Sequence, residues 1–275
     1  MMQRTTDERR DVEGGYVQVD GLRMYYEVHG TGRPLVLLHG ALMFIEAFGE
    51  LLPKLAQGRQ VIAVELQGHG RTNDVDRPFS YEQMADDVAA LLHKIGIESA
   101  DLLGYSLGGG VAMQMAIRHP DLVRRVVAVS VYIDDDGVYP EILEGERNMT
   151  PESLEGFGWR EAYARVAPDP ERWSVIINKV KQLDLSFKGW SHGVIRSIRA
   201  PVLLVVGDSD IVRPEHAAMM FRLLGGGVAG DIVGMPRSRL AVLPATNHTS
   251  VIERTDWLVP MVEEFLNMPA PGSER

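Results

Sequence analysis

The chain has no cysteine among its 275 residues, which excludes disulfides, thiolate metal sites and cysteine nucleophiles together. It also lacks an excess of positive charge: 28 lysines and arginines stand against 38 aspartates and glutamates, a formal net charge of -10. A chain of that balance has no general attraction for nucleic-acid phosphates or for an anionic membrane surface. No apolar run approaches membrane-spanning length, and the opening MMQRTTDERRDVEGG is charged, without the apolar segment of a secretory signal. These shortages point to a soluble cytoplasmic protein with neither nucleic acid nor membrane as a partner. Its 45% hydrophobic and 24% charged residues are those of an ordinary globular protein, long enough for one large core with an insertion.

Two alternating stretches, YVQVDG and LRMYYEVHG, read as a hairpin with Asp20-Gly21 as its turn. Six continuous apolar runs follow: PLVLLHG, QVIAVELQG, ADLLGYS, RRVVAVSVYI, APVLLVVGD and RLAVLPATNH. Runs apolar on every position suit strands buried on both faces of a parallel sheet. Helical patterns separate several of them. In SYEQMADDVAALLHKIG, Ser80 can cap, Met84, Val88, Leu91 and Leu92 share a stripe, and Gly96 can end the helix. The expected fold is therefore α/β, a doubly wound and mostly parallel sheet with right-handed crossovers.

The alternation fails from about residue 131 to 198. DDDGVYPEILEGE is acidic, and PESLEGFGWREAYARV and PERWSVIINKVKQL read as short helices opened by proline and acids. This predicts a core of residues 1–130 and 199–275, with 131–198 as a helical insertion.

Ser106 lies between Gly104 and Gly108 in LLGYSLGGGVAMQMAIRHP. A G-x-S-x-G arises by chance in roughly one chain of this length in ten, so context decides. Here a strand-like run precedes it and a helix-like run follows, as a sharp strand-to-helix turn that exposes a nucleophilic serine requires. Such a serine needs a base, and the base a carboxylate to orient it. In an open parallel sheet, reacting groups gather at the carboxyl ends of strands. His248 directly follows the last apolar run, whereas His216 falls within a helical pattern. Asp208 and Asp210 follow APVLLVVG, and the spacing favours Asp210; the rival cluster Asp134, Asp135 and Asp136 reads as a solvated face. The amide of Leu107, with that of Ala41 after the His39-Gly40 strand end, would supply oxyanion donors. His39 itself reads as a structural hydrogen-bonding residue.

In these motifs the sequence resembles the α/β-hydrolase superfamily, as a serine esterase- or lipase-like member: LLHGA is like the oxyanion loop, ELQGHGRT like the turn after the fourth strand, GYSLGG like the nucleophile elbow, GDSD like the acid turn, and NH like the histidine loop. The resemblance implies a Ser106–His248–Asp210 triad, oxyanion amides at Ala41 and Leu107, and a small helical cap. Departures are Glu65 where relatives carry aspartate, Asn247 where glycine often precedes the histidine, and a long GGGVAGDIVGMPRS link. The G-x-G-x-x-G within that link follows a helix rather than a strand and carries no dinucleotide reading. Glu65 and His69 sit in a glycine turn and are no metal pair, so neither metal nor cofactor is expected.

The function expected is hydrolysis of a small, apolar or uncharged carboxylic ester through an acyl-enzyme. Serine in the elbow argues against haloalkane dehalogenase and epoxide hydrolase activities, whose superfamily members carry aspartate there. Lactone hydrolysis, carbon–carbon bond hydrolysis, perhydrolysis, acyl transfer and slow-turnover ligand reception use the same apparatus and stay open. Met43, Phe44, Tyr132, Trp190 and Val212 are the expected pocket walls, and the acidic stretch, if it faces the pocket, disfavours anionic substrates.

Overall fold

Every run read as a strand forms one in the computed structural model, which describes residues 13–269. Most of the charged opening stretch lies outside the described residues. β1 (Glu13–Val19) and β2 (Leu22–His29) make the hairpin, and Asp20 and Gly21 turn it with φ of 44° and 85°, the left-handed pair that a two-residue turn demands. Then come β3 (Arg33–Leu38), β4 (Arg59–Val64), β5 (Ala100–Tyr105), β6 (Val123–Val129), β7 (Val202–Gly207) and β8 (Arg239–Leu243). They form one sheet in the order β1-β2-β4-β3-β5-β6-β7-β8. The first two strands are antiparallel to their neighbours, and β3 to β8 are parallel.

Strand periodicity divides the core into two layers. Leu35 and Leu37 of β3, with Val61 and Ala63 of β4, meet α1 (Leu51–Leu55) and α10 (Thr255–Asn267). Val36 and Leu38, with Ile62 and Val64, face the other way onto α2 (Tyr81–Lys94) and α3 (Leu107–Arg118). All are fully buried, and each valine, leucine and isoleucine among them contributes about 1.5–3 kcal/mol. The apolar stripe of α2 is buried as its periodicity demands, and the Ser80 hydroxyl accepts the Gln83 amide at 3.1 Å as the N-cap. At the amino ends of the strands, buried Arg59 donates to Asp101 at 3.1 Å and to Glu263 of α10 at 2.9 Å. That network ties the last helix to the sheet and leaves the opposite, carboxyl edge for chemistry.

Between β6 and β7 the chain passes through α4 (Pro140–Asn148), α5 (Trp159–Val166), α6 (Trp173–Ser186) and α7 (His192–Arg196). The sequence pattern anticipates α6 well, because Trp173, Ile176, Ile177, Val180 and Leu183 make a buried stripe. It places the start of α5 too early: Glu152–Leu154 forms only a short 3-10 turn, and the helix begins after Gly158. Both α4 and α7 are additions to that reading. α8 (Pro214–Leu223) and the one-turn α9 (Gly230–Val233) then precede β8. The glycine-rich link follows α8, so it has no strand before it, and Ile232 within it is 83% exposed.

Candidate active site

The turn at Ser106 is strained. Its φ of 52° and ψ of -117° lie outside the regions that a residue with a Cβ adopts easily, a cost of roughly 1–3 kcal/mol that persists only where surrounding structure imposes it. The imposing structure is the close passage of β5 under α3. A Cβ on Gly104 would overlap the carbonyl of Gly108, and one on Gly108 would overlap the carbonyl of Leu38. The flanking glycines are thus required by contact between helix and sheet, and the serine between them is lifted clear at the helix N-terminus.

His248 reaches Ser106 from the loop after β8, with its Nε2 3.1 Å from the serine Oγ. Its Nδ1 lies 2.8 Å from Asp210 Oδ1, so the ring has a carboxylate on one side and a hydroxyl on the other. With Nδ1 protonated, Nε2 is left as the acceptor that a general base must present. The loop is held from beneath, where the Tyr105 hydroxyl donates to the His248 carbonyl at 2.9 Å.

Asp210 is buried, and every partner it has is a donor. Ser130 Oγ donates to Oδ2 at 2.5 Å, the Gly207 amide to Oδ2 at 3.3 Å and the Val212 amide to Oδ1 at 3.2 Å. Burial pushes the carboxyl up, but the His248 and Ser130 hydrogen bonds, the imidazole charge and the Val212 amide outweigh it and hold Asp210 below the usual carboxylate range. Asp208, two residues earlier, is exposed and instead accepts the Ala245 and Thr246 amides at 2.9 and 3.2 Å. Sequence reasoning missed Ser130. Its only signal was a polar residue closing the apolar run of β6, and its φ of 55° marks a second constrained strand end. Ser130→Ala is expected to lower kcat about five- to tenfold with KM little changed, measured by steady-state hydrolysis, because one donor to the orienting carboxylate is lost.

Two other histidines, His39 and His216, have structural roles. His39 Nδ1 lies 2.8 Å from the Gly40 carbonyl, and Nε2 accepts the Leu66 amide at 3.1 Å. Burial, with His69 beside it, pulls its pKa down to about 3, so it stays neutral. His216 accepts the Ile133 amide at 3.1 Å inside the protein. Glu65 is buried and accepts from the Arg71 guanidinium at 2.6 Å, bracing the turn.

A cavity of about 180 Å³ opens over Ser106 and His248. Ala41 and Leu107 line it, and neither amide donates to an acceptor among the described residues. Of the expected walls, Tyr132 lines it; the other four are placed elsewhere. Met43 packs toward the α1–α10 layer, and Phe44 precedes a 3-10 turn, Ile45–Phe48. Trp190 is buried edge-on against Tyr81 and Phe187, and Val212 is sealed beneath α8 with Val206 and Ala217. The walls that sequence reasoning missed include Tyr81 from α2, Glu146 from α4, Trp159 from α5, and Val180 and Asp184 from α6.

Residues 33–158 match the family model of the alpha/beta hydrolase fold. The chain is 27% identical over 278 residues to a 2-hydroxymuconate semialdehyde hydrolase of Pseudomonas sp. (strain CF600), covering 90% of this chain and 91% of that one. It is also 27% identical to a pimeloyl-[acyl-carrier protein] methyl ester esterase of Neisseria meningitidis serogroup A, over 90% of this chain and 78% of the relative. Among solved structures, a carboxylesterase from Bacillus subtilis superposes with a TM-score of 0.71 at 20% identity, covering 94% of this chain and 93% of the other. The protein belongs to the α/β-hydrolase superfamily and is a hydrolase. No helix among the described residues is long and apolar enough to cross a membrane.

Proposed function

We propose that the protein is a carboxylic-ester hydrolase in which Ser106, His248 and Asp210 act as a triad and the substrate sits beneath a cap formed by residues 131–198. The observation that carries this reading is the continuous chain of contacts from Asp210 through His248 to Ser106, at 2.8 and 3.1 Å, ending in a cavity beside two unengaged amides. His248 Nε2 takes the Ser106 proton as Oγ attacks the ester carbonyl, and the Ala41 and Leu107 amides hold the oxyanion that forms. Collapse breaks the ester C–O bond, and the leaving alkoxide takes the proton from His248. Water, deprotonated by the same imidazole, then attacks the acyl-Ser106 carbonyl and releases the acid. Asp210 stays ionised throughout and stabilises the imidazolium.

The test is steady-state hydrolysis of p-nitrophenyl esters of increasing acyl length. Repeated turnover is expected, with kcat/KM highest for short acyl groups, since the cavity is small beside sites that hold drug-sized ligands. A single stoichiometric burst, or no release at all, would overturn the esterase reading in favour of a ligand-binding protein or a different scissile bond.

A further inference from the structure

The cavity over Ser106 is also lined by two carboxyl groups that the proposed chemistry does not use. Asp184 comes from α6 and Glu146 from α4, and both line the cavity. Neither makes a hydrogen bond or ion pair among the described residues. Asp184 is half-buried, and desolvation with Glu146 nearby pushes its carboxyl well above the usual range. Burial and Asp135 push Glu146 up as well, while His248 and Arg147 oppose them.

Among the described residues no lysine or arginine lines the cavity. The cations on these helices are engaged or turned away: Lys181 donates to the Met149 carbonyl, and Arg147 is exposed. A half-buried carboxyl without a partner is harder to ionise than one in open water, so two of them lining one mostly apolar cavity leave a deficit of positive charge. Three aromatic residues share that space, Tyr81, Tyr132 and Trp159. Aromatic faces beside carboxylates attract cations, and most strongly where water is excluded.

We infer that the cavity recognises a substrate bearing a basic nitrogen, whose ammonium group lies between Asp184 and Glu146 against the rings of Tyr81, Tyr132 and Trp159, with its scissile carbonyl toward Ser106. The inference rests on the hydrolase reading for the carbonyl end and on the cavity wall alone for the ammonium end. It narrows the substrate class from esters at large to esters of amino-substituted acids or alcohols, short enough to fit about 180 Å³. Without a countercharge the two carboxyls favour their neutral forms, and an ammonium between them supplies the charge that restores the carboxylates.

The test separates binding from hydrolysis. Butylammonium and 1-butanol, alike in shape and differing in charge, are titrated calorimetrically into the intact wild-type protein and into Asp184→Asn and Glu146→Gln. Butylammonium is expected to bind roughly ten- to a hundredfold tighter than butanol to the wild type, the range of a charge-assisted contact, and each substitution should cut that ratio about tenfold. Equal affinities, tighter butanol, no binding of either at millimolar concentration, or a ratio unmoved by both substitutions would each overturn the inference. Both substitutions replace a half-buried acid that has no partner among the described residues by its neutral isostere, so neither endangers folding, and the wild-type comparison needs no variant. Since neither probe is an ester, loss of the ammonium preference and loss of the esterase reading are seen in different experiments.

Discussion

Ser106→Ala is expected to lower kcat on any ester that the wild type turns over by about ten thousandfold or more, roughly 5 kcal/mol of transition-state stabilisation, with the residual rate coming from binding and oxyanion contacts. The argument is geometric, since Ser106 Oγ is the hydroxyl 3.1 Å from His248 Nε2 that also faces the cavity. Intact-mass analysis should show a one-to-one adduct of the wild type with a fluorophosphonate and none with the variant; an adduct that survives on the variant sinks the assignment. Ser106→Gly adds a second readout. Glycine accepts the φ of 52° without penalty, so this variant should be as inactive as alanine yet more stable, by about 1 kcal/mol or more. Thermal unfolding would register a rise of about 2–4 °C. A functional strain predicts that opposition between activity and stability; an incidental turn does not.

The same strain explains why the nucleophile was legible in the sequence and its surroundings were not. Gly104 and Gly108 are demanded by backbone contacts that recur wherever a strand turns this sharply into a helix, so sequence registers them. Strands β3 to β7 were legible for a similar reason, since burial on both faces forces continuous apolar runs, whereas the β1–β2 hairpin was legible from its alternation and its Asp20-Gly21 turn. α4 left no such trace: none of its residues is buried, and Gly145 interrupts it. α7 is five residues long and buries only Ile195.

Pocket walls depend on which way a side chain turns after the helices pack, and that information is tertiary. Met43 lies close to the oxyanion loop in sequence yet faces a different layer, whereas Val180 and Asp184 come together from α6. One signal was available. Asp184 stands four residues after Val180 and eight after Ile176, which puts an acid on the buried stripe of an otherwise apolar helix face. A charge at such a position calls for a partner, and none is supplied among the described residues.

Two acids follow β7, and their substitution by asparagine is expected to have opposite consequences. Asp210→Asn should reduce kcat by about ten thousandfold with KM little changed, as expected when the orienting charge and the base tautomer are both lost. His248 Nδ1, Ser130 Oγ and the Gly207 and Val212 amides all converge on Asp210 as donors. An asparagine offers one oxygen to that set and must turn its NH2 toward another donor. If the NH2 faces the ring, His248 takes the tautomer with the proton on Nε2 and can no longer accept from Ser106; if it faces Ser130, the ring keeps its orientation but loses the charge that stabilises the imidazolium. Asp208→Asn should change kcat less than threefold, because that side chain is exposed and serves two loop amides, and its loss should appear only as a small fall in the urea unfolding midpoint. Acidification carries the matching sign. The depressed carboxyl of Asp210 contributes stability above the ordinary carboxylate range, and this is lost as pH falls through its lowered folded value. If kcat fell for Asp208→Asn and held for Asp210→Asn, the acid of the triad would have been placed on the wrong residue.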